Sequence, residues 1–236
     1  MIWRSLTCFS LAALTLEAAS VSGMVALKDS HLDAVNKRRD YSGLVISLEP
    51  VGQPAAPPKT PPHATMLQKN KMFLPHVLPV AAGTVVDFPN ADPIFHNAFS
   101  SYDGQIFDVG LYPPGTTRSV YFRRTGLVRV FCNIHAAMSA VILVLPTPYF
   151  ATTAKDGTFR IDVPAGSYDL SVFHERATEA TLQMLSQRIL VTDRPLEIPA
   201  IAVSEAGYLM SPHKNKYGKD YSAPPDDRSL YPGGRN

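Results

Sequence analysis

The apolar positions of this chain come in short runs separated by turn chemistry, and most of the runs alternate. Ser22–Leu27 and Gly43–Leu48 are early examples, joined by a charged stretch from Lys28 to Asp40. From Met66 the runs recur at close spacing: Val77–Val80, Thr84–Phe88, Ser119–Phe122 and Leu127–Phe131. Turn residues divide them, at Ala82-Gly83, Pro89-Asn90, Pro113-Pro114-Gly115 and Thr125-Gly126. Farther on, Asp156-Gly157-Thr158-Phe159 reads as a hairpin turn, Pro164-Ala165-Gly166 as a second tight turn, and Ser186–Val191 and Leu196–Val203 as further strands. Many short strands with regular turns predict an all-β fold of sandwich type, and no strong helical period precedes residue 176.

Strand parity sharpens the picture. In Leu127–Cys132, Val128, Val130 and Cys132 share one face, and Leu127, Arg129 and Phe131 share the other. Arg129 marks the outer face, so Cys132 points inward. The run Ala140–Leu145 is apolar on both faces, which predicts cover on both sides: its own core on one, a neighbouring unit on the other. Pro146-Thr147-Pro148 reads as a boundary. The predicted division is a leader at 1–20, a first β-sandwich at 21–145 carrying a Pro-rich loop at 50–63, a smaller β-sandwich at 146–203, and a polar tail at 204–236 expected to be disordered.

Composition changes this only in part. A chain of 236 residues with 45% hydrophobic and 18% charged residues is that of a folded protein. A formal net charge of +2 argues against nucleic acid as a partner. Arg4, the apolar run Leu6–Leu16 and the small residues Ala18-Ala19-Ser20 read as a secretory signal. That run is too short to span a bilayer, so the expected product is periplasmic or secreted, with no membrane insertion after cleavage. Cys8 would leave with the leader, and Cys132 would be the lone thiol in an oxidising compartment, protected by burial or by a metal.

The chemistry concentrates in Phe131-Cys132-Asn133-Ile134-His135-Ala136-Ala137-Met138, which sets a thiol, an imidazole and a thioether on one loop at a strand end. These are ligand types of a mononuclear copper site, which takes two His, one Cys and a weak axial Met. His96, in Phe88–Asn97 after a different strand, supplies the second imidazole. Other readings of the same residues are a buried free cysteine with surface histidines, a zinc site, or a Cys–His nucleophile; no acidic general base or orienting third group accompanies the loop. His76, with Met66 and Met72 nearby, is a candidate for an additional metal. His174-Glu175 is read as structural, and His31, His63 and His213 as merely solvated.

His-Asn after one strand, then Cys-x2-His-x2-Met after a later one, resembles the type 1 copper site of cupredoxins, and the short Cys132–Met138 loop is most similar to that of amicyanin. The likeness covers residues 66–145 and extends loosely to 21–50. It implies one type 1 copper held by His96, Cys132, His135 and Met138, with Asn97 tying the two loops through its side chain. It also implies that His135 lies at the surface as the electron exit. Asn133 departs from the Ser, Thr or Pro common after the cysteine, and Phe99–Pro114 is a longer insertion with the potential to cover the site. Phe95, Phe131 and Ile134 would form an apolar shell, and Ala136 and Ala137 a small patch for transient docking of redox partner proteins. Residues 147–203 resemble the carboxypeptidase regulatory-like (transthyretin-like) module. The whole chain is similar to periplasmic proteins described as methylamine-utilisation or plastocyanin-like. Electron transfer without enzymatic activity is the implied function. Copper storage, delivery or sensing is the alternative, and a structural or adhesion role is a third.

Overall fold

A computed structural model describes residues 19–52, 60–101, 104–209 and 213–221. Among these the strands are β1 (Ala19–Lys28), β2 (Val45–Pro50), β3 (His63–Thr65), β4 (Leu67–Lys69), β5 (Met72–Leu74) and β6 (Val77–Ala81). They continue with β7 (Thr84–Pro89), β8 (His96–Ser100), β9 (Phe107–Tyr112), β10 (Thr117–Phe122), β11 (Gly126–Phe131) and β12 (Ser139–Leu145). The last are β13 (Phe150–Thr152), β14 (Thr158–Val163), β15 (Gly166–Phe173), β16 (Gln187–Val191), β17 (Leu196–Glu197) and β18 (Ile201–Ser204). Two short helices, α1 (Asp33–Asn36) and α2 (Glu179–Met184), complete the set. The fold is all-β, built as sandwiches, and among the described residues no helix is long and apolar enough to cross a membrane.

The first sandwich packs the sheet β6-β12-β11-β8-β9 against β10-β7-β3. The alternation read from the sequence is what fills it. Val86 and Phe88 point inward from β7, Val128 and Val130 from β11, and Ala140, Ile142 and Val144 from β12. Each large side chain fully withdrawn from water there contributes about 1.5–3 kcal/mol. The second sandwich packs β1 and its neighbours against the sheet β13-β2-β15-β16, around Val21, Val25, Leu44, Ile46, Leu48, Ile161 and Leu170.

This corrects the expected division at 21–145. β1 pairs antiparallel with β14 from Ala19↔Val163 to Met24↔Thr158, and parallel with β17 and β18. β2 lies between β13 and β15. Residues 19–50 therefore build the second sandwich, and the first is threaded between β2 and β13. The reason is edge protection. Without β1 and β2, each sheet of the second sandwich would lose an interior strand and expose unpaired backbone. Ala19 and Ser20, expected in the leader, start β1; residues 1–18 lie outside the described residues.

The doubly apolar strand β12 sits where its pattern demands. Leu143 and Leu145 turn away from the first core and pack with Val45, Val77, Leu127, Phe150 and Phe173, joining the two sandwiches. Other readings shift. The charged stretch after β1 holds the single turn α1. The run Leu196–Val203 is split, because Pro199 has no backbone N–H for a ladder. Of the Pro-rich loop 50–63, residues 53–59 lie outside the described residues, and Val51, Gly52 and 60–63 are exposed. The tail expected to be disordered from 204 on is ordered at 213–221, where it lies against the first sandwich.

Candidate metal centre

β8 runs antiparallel to β11 with Phe99 opposite Phe131. Continuing that register beyond the strand end sets Asn97 opposite Asn133, and His96 opposite the loop that follows Cys132. The phase of each strand then decides which side chains meet. Cys132 continues the inward face of Val128 and Val130 and is fully buried, as is His96. The loop closes at its base through Cys132 N–H to the Met138 carbonyl, at 3.1 Å, and Met138 N–H to the His135 carbonyl, at 2.9 Å.

Three donor atoms converge there. Cys132 Sγ lies 3.6 Å from His135 Nδ1 and 4.0 Å from His96 Nδ1. The ligand atoms of the three residues all fall within 4.8 Å of one another, and the two imidazole rings meet edge to face at 4.9 Å. Met138 is buried in the same core cluster. His135 is half-buried, and Ala136 and Ala137 beside it are exposed. Among the described residues no other cluster of three or more His, Cys, Asp and Glu donors forms.

The electrostatics fit a metal. His96 Nε2 lies 2.7 Å from Asp92 Oδ2, so the ring proton belongs on Nε2 and the Nδ1 lone pair is directed toward the thiol. Asp92 also accepts the backbone N–H of Asn70 at 2.6 Å and of Lys71 at 2.8 Å. Burial works to raise the Asp92 carboxyl, but the Lys71 N–H, His96 and the Asn70 N–H together hold it below the ordinary carboxylate value. Burial pushes the Cys132 thiol up, against hydrogen bonds from the backbone of Ile134, Asn97 and His135. The metal-free site therefore holds a thiol, and a cation that binds must displace its proton. Two imidazole nitrogens, a buried sulfur and a buried thioether form a donor set suited to copper.

Asn97 joins the two segments that carry the candidate ligands. Its Oδ1 accepts the Asn133 N–H at 3.3 Å, while its Nδ2 donates to Asp108 Oδ1 at 2.8 Å and to the Gly110 carbonyl at 2.9 Å. Asp108 and Gly110 belong to β9, which the insertion Phe99–Pro114 supplies. That insertion forms the neighbouring strand of the same sheet. Phe131 is buried on the outer face of β11, against Phe99 at 5.9 Å between centroids, and Phe95 is more than one-third exposed. Ile134 packs partly buried against the core.

His76 stands elsewhere. Its Nε2 lies 2.6 Å from Glu175 Oε2, across to the second sandwich, and its Nδ1 3.1 Å from the Ser139 carbonyl at the start of β12, so both ring nitrogens have partners. Met66 is fully buried in the first core and Met72 is exposed, so the expected donor group around His76 does not assemble. His174 is buried with Nε2 2.7 Å from Glu205 Oε1, and burial lowers its pKa. His63 pairs with Asp87 at 2.8 Å. His213, expected to be solvated, instead stacks on Phe131 with centroids 4.0 Å apart and planes 23° from parallel. Sequence reasoning missed Asp92 and Asp108 as partners of His96 and Asn97. For Asp92 the available signal was an acidic residue four positions before the histidine in an Asn/Asp/Pro turn.

No protein-family model matches the chain, and no curated protein does. Solved structures do. A purple cupredoxin from Nitrosopumilus maritimus is 20% identical with a TM-score of 0.32, over 36% of this chain and 99% of that one. A reduced amicyanin mutant is 16% identical with a TM-score of 0.34, over 42% of this chain and 98% of that one. A Cu-containing nitrite reductase from Thermus scotoductus SA-01 is 25% identical with a TM-score of 0.35, over 41% of this chain and 25% of that one.

Proposed function

We propose that this chain is an exported mononuclear type 1 copper protein that carries single electrons between redox partners, with His96, Cys132, His135 and Met138 as the ligands. The observation that carries the reading is the convergence of His96 Nδ1, His135 Nδ1 and Cys132 Sγ within 4.8 Å at the end of a rigid sheet. When bound, copper would supply a one-electron couple, with the soft sulfur ligands favouring Cu(I) and the imidazoles serving both states.

The chain's own residues do the rest. Asp92 orients His96, and Asn97 fixes the spacing between the two ligand segments. A site held between two strand ends has little freedom to rearrange on a change of charge, which keeps reorganisation small. The buried surroundings of Cys132 and Met138 exclude water. The edge near His135, with Ala136 and Ala137, is the proposed docking face for a redox partner, and such encounters use small interfaces. The second sandwich is proposed to be the transthyretin-like module, and the chain to have no catalytic activity of its own.

The test is the visible and EPR spectrum of the protein with one equivalent of Cu(II), beside Cys132→Ser. An intense blue thiolate-to-copper band with narrow hyperfine splitting, absent from the variant, is expected. A weakly coloured complex, or one indifferent to the substitution, would overturn the type 1 assignment and leave copper handling without electron transfer.

A further inference from the structure

The ordered tail segment 213–221 touches the metal-ligand loop at separate points. Lys216 N–H donates to Asn133 Oδ1 at 3.1 Å, and Lys216 Nζ reaches Asp108 Oδ2 at 2.8 Å. Asp108 holds Asn97, and Asn97 holds Asn133. Lys216 therefore closes a ring of hydrogen bonds, Lys216–Asp108–Asn97–Asn133, around the residues that directly follow His96 and Cys132 in the chain. At the second point, Tyr221 Oη donates to the Cys132 carbonyl at 2.9 Å, and His213 Nε2 lies 2.9 Å from the Ala136 carbonyl. Tyr221 Oη and His213 Nδ1 are 3.3 Å apart, and the His213 ring covers Phe131.

The segment holds its own shape. Asn215 Oδ1 accepts the N–H of Tyr217 and of Lys219, the Asn215 carbonyl accepts Gly218 N–H at 2.9 Å, and Lys214 pairs with Asp220. A pre-shaped turn loses less conformational freedom on docking than a free tail does.

We propose that His213, Lys216 and Tyr221 are positioning residues of the metal centre, clasping the ligand loop from outside so that Cys132 stays inaccessible and a bound metal leaves slowly. The part concerning metal release rests on the copper reading above; the part concerning the loop does not. The loop is short, and three of its residues, Cys132, Asn133 and Ala136, give an acceptor to the tail. Opening it toward solvent requires breaking these contacts first.

The experiment compares the full chain with His213→Ala/Tyr221→Phe and with Lys216→Ala, after circular dichroism has shown the same fold. In metal-free protein, the rate of Cys132 alkylation is followed by mass spectrometry. In copper-loaded protein, the rate at which a chelator removes the metal is followed with the visible spectrum. About a tenfold faster alkylation and metal loss in the double variant is expected, from the loss of two hydrogen bonds on the loop. Wild-type rates in both variants would overturn the clasp even if copper gives the blue spectrum. If wild-type protein takes up no copper but the double variant still alkylates faster, the copper reading fails and the clasp stands.

Discussion

Asp92 and His96 are buried together, Oδ2 to Nε2 at 2.7 Å, and the same carboxylate gathers the backbone N–H groups of Asn70 and Lys71. One side chain thus anchors the ring of the proposed ligand His96 to the turn between β4 and β5. Asp92→Ala should lower copper affinity about 10- to 100-fold, the usual cost of losing such a support, while Cys132→Ser abolishes the thiolate band outright. A competition titration against a chelator of known affinity measures it. Unchanged affinity would mean that the packing around His96 alone holds the ring.

The two faces of β12 predict different costs. Ile142 is fully buried in the first core, so Ile142→Ala should destabilise by about 2–5 kcal/mol. Leu143 is slightly exposed and packs between the sandwiches, so Leu143→Ala should cost less and loosen the coupling between them. Denaturant titration reads both. The expected signature of Leu143→Ala is a broadened transition that resolves toward two steps.

Gly157 turns the β13–β14 connection with φ at +85°, and its carbonyl accepts Val25 N–H at 2.9 Å. A Cβ there would press on the Val25 carbonyl oxygen. Gly157→Ala should cost at least the roughly 1–2 kcal/mol of a left-handed alanine, with further loss from the displaced β1. Thermal unfolding checks it, and a Tm equal to wild type would contradict the described turn.

The His76–Glu175 pair predicts a pH dependence. Its hydrogen bond with Glu175 raises the His76 pKa against burial, and the same bond holds Glu175 low against its own burial. A histidine with a raised folded value contributes stability that is fully present below its unfolded value and lost as pH rises through the folded one. Glu175 must also be ionised, so the window runs from above the carboxylate range to the raised His76 value. His76→Gln should remove about 0.5–1 kcal/mol inside that window, because His76 is half exposed and such pairs are weak, and less once pH passes the raised His76 value. Stability curves at pH 5.5 and 9 test the difference.

The alternation of apolar residues determined most of the longer strands, though not β8 or β9, along with the inward face of Val128, Val130 and Cys132 and the double cover of Ala140–Leu145, because a pleated strand sends successive side chains to opposite faces whatever its partners are. The loop Cys132–Met138 and the more distant His96 were legible for a related reason: few residue types bind soft metals, and a cysteine stands out in a chain with two. Strand partnership was not legible. Val21–Leu27 and Val45–Leu48 suit either core equally well, and only long-range backbone pairing assigned β1 and β2 to the second sandwich. Asp92, Asp108 and the tail at 213–221 were hidden for the same physical reason. A polar residue far along the chain carries no local mark of the hydrogen bond it will make, and its partner is decided only when the folded sheets bring the two together.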